Sequence, residues 1–423
     1  MKISEMISAV EADGMKPMLE RLYGENAGKQ KERYLRVLAN AEKRLGDREA
    51  GLYSAPGRTE VGGNHTDHQL GRVLAASINL DVLAVVSPRD DLVVDYQADS
   101  FSAKPVDLHD LSVQAEEVNS TEALIRGVAA AFAKDGLNIT GFDCYAESDV
   151  LPGSGVSSSA AFEILLAEIF NDLSNEGKAT PEDCAVYGKY AENVYFGKAS
   201  GLLDQMACSV GGFVTIDFKD AQKPVVQKIS RNLEDLGYAI ILTDCHESHA
   251  DLSDEYSKIP AEMKSVAALF GKNVLSEVTL EEFVKAGAGV RQACGDRAFL
   301  RAYHFLNETD RVVDEVKALE DNDMKTFLSL IKESGRSSWM YLQNVIPVNA
   351  TTHQSLAVGQ AMSEYLLKDN GAWRVHGGGF AGTIQAFVPL AEADHYIEAM
   401  EGLFGKGSCY KLRIRDVGGI RIA

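Results

Sequence analysis

Residues 151–161 have the sequence Leu-Pro-Gly-Ser-Gly-Val-Ser-Ser-Ser-Ala-Ala and join a predicted strand, Phe142 to Ala146, to a predicted helix, Ser158 to Leu173. Glycines let successive backbone N–H groups converge on an anion, and the helix N-terminus adds partial positive charge. A serine N-cap after a glycine turn would explain only one serine and one glycine. The segment therefore predicts a phosphate-binding loop. It lacks the Gly-Lys-Ser/Thr ending of P-loop NTPases and is not predicted to be one of them.

The charge balance excludes functions that need a basic surface. The 423 residues include 42 Lys and Arg against 62 Asp and Glu, a net charge of −20. Because binding to nucleic acid or to anionic membranes requires clustered positive charge, we expect neither as a partner. The longest apolar stretch, Val73 to Val86, is interrupted by polar residues and falls short of the roughly 18 residues that a membrane span requires.

The cysteines and the first residues indicate a reducing compartment. The six cysteines are far apart and form no Cys-x-x-Cys pair, so we predict reduced thiols. Met1 to Lys16 has no apolar core and does not match a signal peptide. We therefore expect a cytoplasmic protein, a monomer, whose partner is a small molecule.

The order of predicted elements indicates two domains, 1–230 and 231–423, with a boundary between residues 220 and 236. Residues 55–71 are predicted to be rich in turns, and most of 297–369 is predicted to be helical. Predicted helices also cover 30–46, 122–133, 181–195 and 254–270. The second domain combines four predicted strands with a helix, 391–404, in a split βαβ order typical of an α+β domain. The four strands are 238–243, 373–376, 383–388 and 410–414.

A cluster of polar residues lies in the glycine-rich segment from Gly57 to Gly71. It contains Arg58, His65, Asp67 and His68. The cluster could be a solvated loop with one ion pair. It could also be a pocket for a polyol, because carboxylate, imidazole and guanidinium groups together offer the donors and acceptors that hydroxyls need. The segment alone leaves both interpretations open.

A second glycine-rich segment, Gly377 to Gly382, formally matches the G-x-G-x-x-G pattern. A dinucleotide-binding fingerprint must open a helix, whereas a strand is predicted from Thr383. The segment is therefore a turn between two strands or a second backbone loop near the reacting groups.

Two further segments have simple structural interpretations. Asp204 lies at a predicted helix start, where the local sequence favours an N-cap. The segment His246-Glu247-Ser248-His249 resembles a zincin motif but lacks the i, i+4 spacing of its histidines, so we do not predict a metal site there.

Taken together, these segments resemble the galactokinase branch of the GHMP kinases. Pro56 to His68 is similar to the family signature P-G-R-V-N-L-I-G-E-H-T-D-Y, and Gly155 to Ala161 matches its G-L-S-S-S-A-A phosphate loop. Gly377 to Gly382 resembles its G-x-G-F-G-G loop. Three shorter segments also match: Ala191 to Asn193 (family A-E-H), Gly201 to Met206 (family G-I-M-D-Q) and Ser253 to Tyr256 (family S-S-E-Y).

Three departures from the family pattern matter. The family's Glu before His-Thr-Asp is Asn64, and its following Tyr is His68. The C-terminal loop has Ala381 and Thr383 where the family has Gly and Cys. Since the resemblance makes that Glu a sugar ligand, Asn64 affects the identity of the sugar more than the type of reaction.

The resemblance implies a fold and a set of roles. The fold is an N-terminal α/β domain with a left-handed βαβ crossover and a C-terminal ferredoxin-like domain. Asp204 and Arg58 would be catalytic, Glu192 and Ser158 would bind Mg²⁺, and ATP would bind between the domains. The predicted sugar ligands are Asn64, His65, Asp67 and Tyr256. The predicted ATP-binding residues are Gly153, Ser154, Gly155, Val156, Ser157, Ser158, Ser159 and Ala160.

The implied activity is the ATP-dependent phosphorylation of galactose at its anomeric hydroxyl. Another sugar 1-kinase, acting on N-acetylgalactosamine or arabinose, is an alternative within the same class. A regulator that binds sugar and ATP without turnover is an alternative from a different class. The presence of Asp204, Arg58 and Glu192 favours an enzyme.

Overall fold

The computed structural model describes residues 1–423 except 100, 151–154, 199, 221–222 and 247–251. The side chain of Ser253 is also outside the description. The α-helices are α1 (Ile3–Glu11), α2 (Lys16–Tyr23), α3 (Ala27–Leu45), α4 (Thr121–Lys134), α5 (Ser158–Asn175), α6 (Pro181–Tyr190), α7 (Leu203–Val210), α8 (Ser253–Leu269), α9 (Leu280–Lys285), α10 (Gly287–Cys294), α11 (Asp296–Glu320), α12 (Met324–Ser337), α13 (Ser355–Leu367) and α14 (Ala393–Phe404). Within the described ranges, no helix has the length and apolar character needed to cross a bilayer.

The strands form two sheets. They are β1 (Gly51–Gly62), β2 (Arg72–Pro88), β3 (Val93–Ala98), β4 (Val106–Asp107), β5 (Phe142–Ser148), β6 (Phe213–Asp217), β7 (Val225–Ile229), β8 (Tyr238–Asp244), β9 (Ala372–Val375), β10 (Thr383–Pro389), β11 (Cys409–Leu412) and β12 (Ile420–Arg421). The first sheet has the order β12-β1-β2-β5-β3-β4, with β6 and β7 extending from β2. Strands β3 and β5 are parallel and are joined through α4, so this sheet holds the expected βαβ unit.

Helices cover both faces of the first sheet. Strand residues alternate between the two faces, so Leu83 and Val85 of β2 pack with α1, α2 and α3. The residues that alternate with them, Ala84 and Val86, pack with α4 and α5 on the opposite face. The N-terminal 45 residues, which had no predicted role, thus form one of three layers.

A buried ion network joins the N-terminal layer to the sheet. Asp81 has no exposed surface, and its carboxylate accepts hydrogen bonds from Arg33 Nη1 at 2.6 Å and Arg415 Nη1 at 3.3 Å. The hydroxyls of Tyr23 and Ser54 donate to the same carboxylate. Asp81 therefore links α2, α3, β1 and the C-terminal tail.

The second sheet confirms the predicted ferredoxin-like domain. Its order is β11-β8-β10-β9, and each neighbouring pair is antiparallel. Along the chain, β8 is followed by helices, then by the pair β9 and β10, then by α14 and β11. This is the split βαβ order that the sequence indicated. Helices α8 to α12 are an insertion between β8 and β9.

One local prediction was wrong over part of its length. Residues 55–71 were predicted as turns, but β1 continues through Pro56-Gly57-Arg58 to Gly62. Its pairing with β2 shifts register between Pro56 and Arg58, which lets the strand pass the proline. The predicted helix 181–195 is present as α6 and continues as a π-helical turn over Ala191–Phe196. Such turns are frequent at functional sites, and this one carries Glu192.

The C-terminal tail returns to the first sheet. Ile420 and Arg421 pair with β1, and Ile414 bridges to Ile78 of β2. At the predicted boundary, β7 pairs with β6 and belongs to the first sheet up to Ile229. The predicted unit 231–423 therefore needs a correction, because its last residues pack with the N-terminal domain. The division near residue 230 stays a prediction.

Candidate active site

The described part of the phosphate-binding loop packs closely against β1. A Cβ on Gly57 would lie 2.7 Å from the Val156 carbonyl oxygen, and the Arg58 N–H donates to that oxygen at 3.1 Å. Ser157 precedes α5 with a φ of 61°, a strained conformation that is often found at functional sites. The predicted contacts Gly153 and Ser154 lie outside the described residues.

Asp204 lies where the phosphate-binding loop meets β1. Its Oδ1 accepts from Arg58 Nε at 2.8 Å, and its Oδ2 accepts from the Ser157 hydroxyl at 2.5 Å. Arg58 also donates to the Gly155 carbonyl oxygen. The N-cap of α7 is Leu202, and Asp204 is the second residue of the helix. The N-cap interpretation of Asp204 is therefore wrong.

The contacts of Asp204 favour its charged form. Burial by itself raises the pKa of this carboxyl group, but the Arg58 charge and the hydrogen bonds from Arg58 and Ser157 outweigh it and bring the pKa below its ordinary value. Arg58 has 8% of its surface exposed and the Asp204 side chain 35%, so solvent screens this pair only in part. Asp204 is thus a carboxylate at neutral pH and can accept a proton.

Glu192 forms a second acidic centre beside the same loop. It is 2% exposed, and its Oε1 accepts from the Ser159 hydroxyl at 3.0 Å and from Lys198 Nζ at 2.7 Å. Its Oε2 accepts from Gln205 Nε2 at 2.9 Å. The Ser158 hydroxyl, the predicted magnesium ligand, makes no hydrogen bond with any described residue. The structure brings Ser159 to Glu192 instead.

These groups fit a magnesium site of the kind that a nucleotide completes. The described residues include no group of three or more His, Cys, Asp or Glu that could hold a metal by themselves. Mg²⁺ commonly takes one or two carboxylates plus substrate phosphates and waters, so a single carboxylate beside a hydroxyl is sufficient. The Lys198 ammonium already pairs with Glu192, which places a positive charge at this carboxylate.

A second carboxyl group, that of Glu163, lies close to Glu192, since Gln205 Nε2 donates to both. Glu163 has no exposed surface, and its Oε1 has no hydrogen-bond partner in the described structure. Burial and then the neighbouring Glu192 charge raise the pKa of Glu163 well above its ordinary value. Its surroundings therefore favour the protonated form of Glu163.

Asp67 lies against the loop that leads into Asp204, and His65 lies beside the C-terminal loop. A Cβ on Gly201 would lie 2.6 Å from Asp67 Oδ2, so a larger residue there would displace this carboxylate. Burial raises the pKa of Asp67. His65 Nε2 lies 3.0 Å from the Gly378 carbonyl oxygen. Both predicted sugar ligands therefore lie near Asp204 or the C-terminal loop.

Tyr256 holds the C-terminal loop. Its hydroxyl donates to the Gly379 carbonyl oxygen at 2.6 Å, and its ring packs edge-on against Phe380. A Cβ on Gly378 would lie 2.6 Å from the Tyr256 ring, so only glycine permits this contact. The loop Gly377 to Gly382 is therefore packed against the predicted sugar ligands and is more than a plain turn.

Asn64 requires a correction. It was predicted to contact the sugar, but it has no exposed surface. Its Nδ2 donates to Glu60 Oε1 at 2.9 Å and to the Gly377 carbonyl oxygen at 2.7 Å. Its Oδ1 accepts from Asn344 Nδ2 at 2.9 Å and from the Ser338 hydroxyl at 3.2 Å. The Asn64 amide is thus used in joining the two domains and has no group left for a sugar.

Two residues near this site were missed in the sequence. His376 is 3% exposed, and its Nε2 lies 3.0 Å from the Thr59 hydroxyl, which joins β1 to the C-terminal loop. Burial and then the Arg58 charge lower the pKa of His376 well below its ordinary value, so it is neutral. Glu60 accepts from Asn64 and Arg374. The position of Glu60, two residues after Arg58 on a strand, was the signal available.

The predicted metal-free segment His246 to His249 is only partly described. Residues 247–249 lie outside the described residues. His246 Nδ1 lies 3.4 Å from Asp244 Oδ2 at the end of β8. These two groups do not make a metal site by themselves.

Comparison with known proteins decides the family. Residues 42–88 match the family model "Galactokinase galactose-binding signature", and residues 123–212 match "GHMP kinases N terminal domain". A galactokinase of Streptomyces coelicolor is 30% identical over 359 residues, which cover 84% of this chain and 88% of the relative. This chain belongs to the galactokinase family. A galactokinase of Actinobacillus pleuropneumoniae is also 30% identical, over 81% of this chain and 86% of the relative.

Solved structures show the same fold as this galactokinase-family chain. Lactococcus lactis galactokinase, solved in complex with galactose, superimposes with a TM-score of 0.77 at 22% identity, covering 90% of this chain and 98% of that one. Methanococcus jannaschii mevalonate kinase gives a TM-score of 0.61 at 13% identity, covering 86% of this chain and 98% of that one. The two-domain GHMP kinase fold is therefore confirmed, in a family of sugar kinases.

Proposed function

We propose that this protein transfers the γ-phosphoryl group of ATP to the anomeric hydroxyl of galactose. The observation that carries the proposal is the carboxylate of Asp204, which Arg58 and Ser157 hold between the phosphate-binding loop and the sugar-signature residues. In phosphoryl transfer the protein mainly positions the reactants and neutralises charge, so such a junction is where catalysis is expected.

Asp204 accepts or orients the proton of the anomeric hydroxyl. The hydroxyl oxygen forms a bond to the γ-phosphorus, while the bond from phosphorus to the β,γ-bridging oxygen breaks and ADP leaves. The proton of the hydroxyl goes to the Asp204 carboxylate. Arg58 keeps that carboxylate ionised beforehand and offers positive charge beside the transferred phosphoryl group.

ATP binds along the loop from Gly153 to Ala160, through backbone N–H groups and the N-terminus of α5. Glu192 and a serine hydroxyl would hold Mg²⁺ beside the bound nucleotide. Ser158 was the predicted ligand, and the 3.0 Å contact between Ser159 and Glu192 supports Ser159 in that role. When bound, Mg²⁺ neutralises the charge that develops on the phosphate oxygens.

Asp67, His65 and Tyr256 line the sugar side of the site. Gly201 belongs to the loop that leads to Asp204, and the Asp67 carboxylate lies beside it. This carboxylate can therefore accept a hydrogen bond from a sugar hydroxyl close to the anomeric one. The Lactococcus lactis relative was crystallised with galactose bound, which supports galactose as the substrate of this chain. We also propose a cytoplasmic location, since its six cysteines are free thiols. The monomeric state stays a prediction.

An ATP-consumption assay over a panel of free sugars tests the proposal. The panel contains galactose, N-acetylgalactosamine, arabinose and glucose, each with ATP and Mg²⁺. The proposal expects the highest kcat/KM with galactose and galactose 1-phosphate as the product. Faster turnover of another sugar would replace the substrate and keep the reaction. Sugar binding without any ATP consumption would support the regulator instead.

Glu192→Gln tests the magnesium site. The substitution keeps the shape of the side chain and removes the charge that faces the cation. We expect the Mg²⁺ concentration for half-maximal activity to rise about tenfold or more, because a charged ligand contributes roughly 1.5 to 3 kcal/mol. Galactose affinity, measured by calorimetry, should stay nearly the same. The control is Glu182→Gln on the exposed start of α6. Equal Mg²⁺ dependence in both variants would remove Glu192 from the site.

Hydrogen exchange tests the phosphate-binding loop. On addition of a non-hydrolysable ATP analogue with Mg²⁺, the backbone amides from Gly155 to Ala160 should exchange more slowly, because phosphate oxygens become their acceptors. Amides of α14, which lies in the other domain, serve as the internal control. If only α14 changed, ATP would bind elsewhere.

A further inference from the structure

We infer that Glu60, rather than Asn64, supplies the carboxylate that binds a hydroxyl of the sugar. The inference rests on the proposed function and names a specificity-determining residue within its sugar site. Three observations support it: Glu and Asn have exchanged positions within the signature from Pro56 to His68, Asn64 is buried, and Glu60 lies on the same face of β1 as Arg58.

The exchange is visible in the signature itself. Aligned with P-G-R-V-N-L-I-G-E-H-T-D-Y, the chain from Pro56 to His68 has Glu60 where the pattern has Asn, and Asn64 where the pattern has Glu. The two side chains contact each other, because Asn64 Nδ2 donates to Glu60 Oε1 at 2.9 Å. Relative to the pattern, the carboxylate and the amide have exchanged positions, and in this chain they are hydrogen-bonded to each other.

Asn64 has no capacity left for a ligand. Its side chain makes four hydrogen bonds, two as donor and two as acceptor, to Glu60, Gly377, Ser338 and Asn344. These use the two donors and both acceptor positions that an amide offers. Its backbone carbonyl oxygen is also occupied, by His304 Nε2 at 2.9 Å.

Glu60 is held on the side of β1 that carries Arg58. Between Arg58 and Glu60 the pairing with β2 is regular, so the two side chains point to the same face of the strand. Its Oε1 accepts from both Asn64 Nδ2 and Arg374 Nη2, each at 2.9 Å. Arg374 has no exposed surface, so this oxygen is fixed by two buried donors.

The second oxygen of Glu60 is available. Oε2 makes no hydrogen bond to any residue in the described ranges, yet the side chain keeps 12% of its surface exposed. Burial has the largest effect on the pKa of Asp67 and raises it, and His65 lowers it. The charge of Glu60 is the next cause and raises this pKa. The same charge also acts on Arg58. Glu60 therefore lies near both a catalytic residue and a sugar ligand.

The contact between the two side chains gives a physical reason for a single carboxylate at positions 60 and 64. Carboxylates at 60 and 64 would place two negative charges within hydrogen-bond distance in a buried site, which is strongly unfavourable. Amides at both positions would leave Arg374 without its acidic partner. A single carboxylate therefore has to be placed at one position or the other, and here it is placed at residue 60.

Glu60→Gln with a series of deoxy sugars tests the inference. Glutamine keeps an acceptor for Asn64 and Arg374 and removes the charge. Affinity and KM are measured for galactose and for its 2-, 3-, 4- and 6-deoxy forms. We expect galactose affinity to fall about 10- to 100-fold, the effect of losing a hydrogen bond to a charged group. For the one deoxy sugar that lacks the contacted hydroxyl, parent and variant should bind almost equally.

A purely structural role of Glu60 would give a different pattern. It would lower the affinity for every sugar by the same factor, and that result, or an unchanged galactose affinity, overturns the inference. Glu116→Gln, on an exposed surface residue, is the control and should match the parent with all five sugars.

Reversal of the exchange is the second variant. Glu60→Asn alone should lose affinity, and adding Asn64→Glu should recover it to within about fivefold, because coupled neighbours are not additive. Recovery supports the inference, and a double variant that folds but binds no better than Glu60→Asn overturns it. If the double variant fails to fold, the Glu60→Gln series decides by itself.

The parent protein separates this inference from the proposed function. Galactose binding without turnover overturns the proposed reaction, while the binding series still tests Glu60. Turnover of galactose without a sugar-dependent effect at Glu60 overturns this inference alone. No binding of any sugar overturns both.

Discussion

Asp204→Asn is expected to lower kcat by about 10² to 10⁴, the usual contribution of a positioned base. The amide can still accept from Arg58 Nε and occupy the same volume, but it cannot take the proton of the anomeric hydroxyl. Galactose affinity should stay within about threefold, since Asp67, His65 and Tyr256 are unchanged. Steady-state kinetics on the purified variant, with calorimetry for sugar binding, measure both.

Asp394→Asn is a matched control for that prediction. Asp394 is exposed and is the second residue of α14, as Asp204 is of α7, so the same substitution has the same local effect on a helix start. Its kcat should equal that of the parent. If Asp204→Asn kept kcat within about threefold of the control, the proposed role of Asp204 would be rejected.

Asp81→Ala is expected to lower the free energy of unfolding by about 3 to 5 kcal/mol, the effect of removing one partner of a buried ion pair. It would leave Arg33 and Arg415, both nearly or fully buried, without their shared carboxylate. Because these residues come from α3 and the C-terminal tail, the N-terminal layer should detach first. Urea unfolding, with hydrogen exchange in α3, measures the loss and its location.

Asp90→Ala, in the exposed turn after β2, is the control and should change stability by less than about 0.5 kcal/mol.

Burial raises the pKa of Asp81, but the charges of Arg33 and Arg415 outweigh it, so the pKa in the folded state lies below its ordinary value. The stabilisation by Asp81 is therefore present above the unfolded-state pKa of about 3.9 and is lost as the pH falls below it. The difference between parent and Asp81→Ala should shrink in acid. Equal stability of both variants at pH 7 would contradict the prediction.

Periodicity and turn residues in the sequence correctly predicted those helices and strands whose formation depends on neighbouring residues. The helix expected from Ser158 to Leu173 is present as Ser158–Asn175, and the helix expected over 30–46 is present as Ala27–Leu45. The order of strands and helices after residue 238 was sufficient to predict the ferredoxin-like sheet. These predictions were correct because periodicity and capping act over a few residues.

The errors fall where distant pairing overrides local preference. Pro56 and Gly57 favour a turn, yet pairing with β2 extends β1 through them. Helices α1 and α2 are short and were not predicted, and their burial against Leu52, Leu83 and Tyr145 stabilises them. The last strand, β12, has only two residues and gains its conformation from β1.

The sequence by itself determined the family, the reaction type that we propose and the groups of residues that carry it, because its glycine-rich segments have local geometry and a recognisable order. Only the tertiary structure decided how individual side chains are used. Asp204 proved not to be an N-cap because Arg58, 146 residues away, holds it. Asn64 turned inward and left Glu60 with a free oxygen because partners such as Asn344, 280 residues away, occupy its amide. Hydrogen bonds across such distances depend on how the two domains pack, and no local pattern specifies that packing.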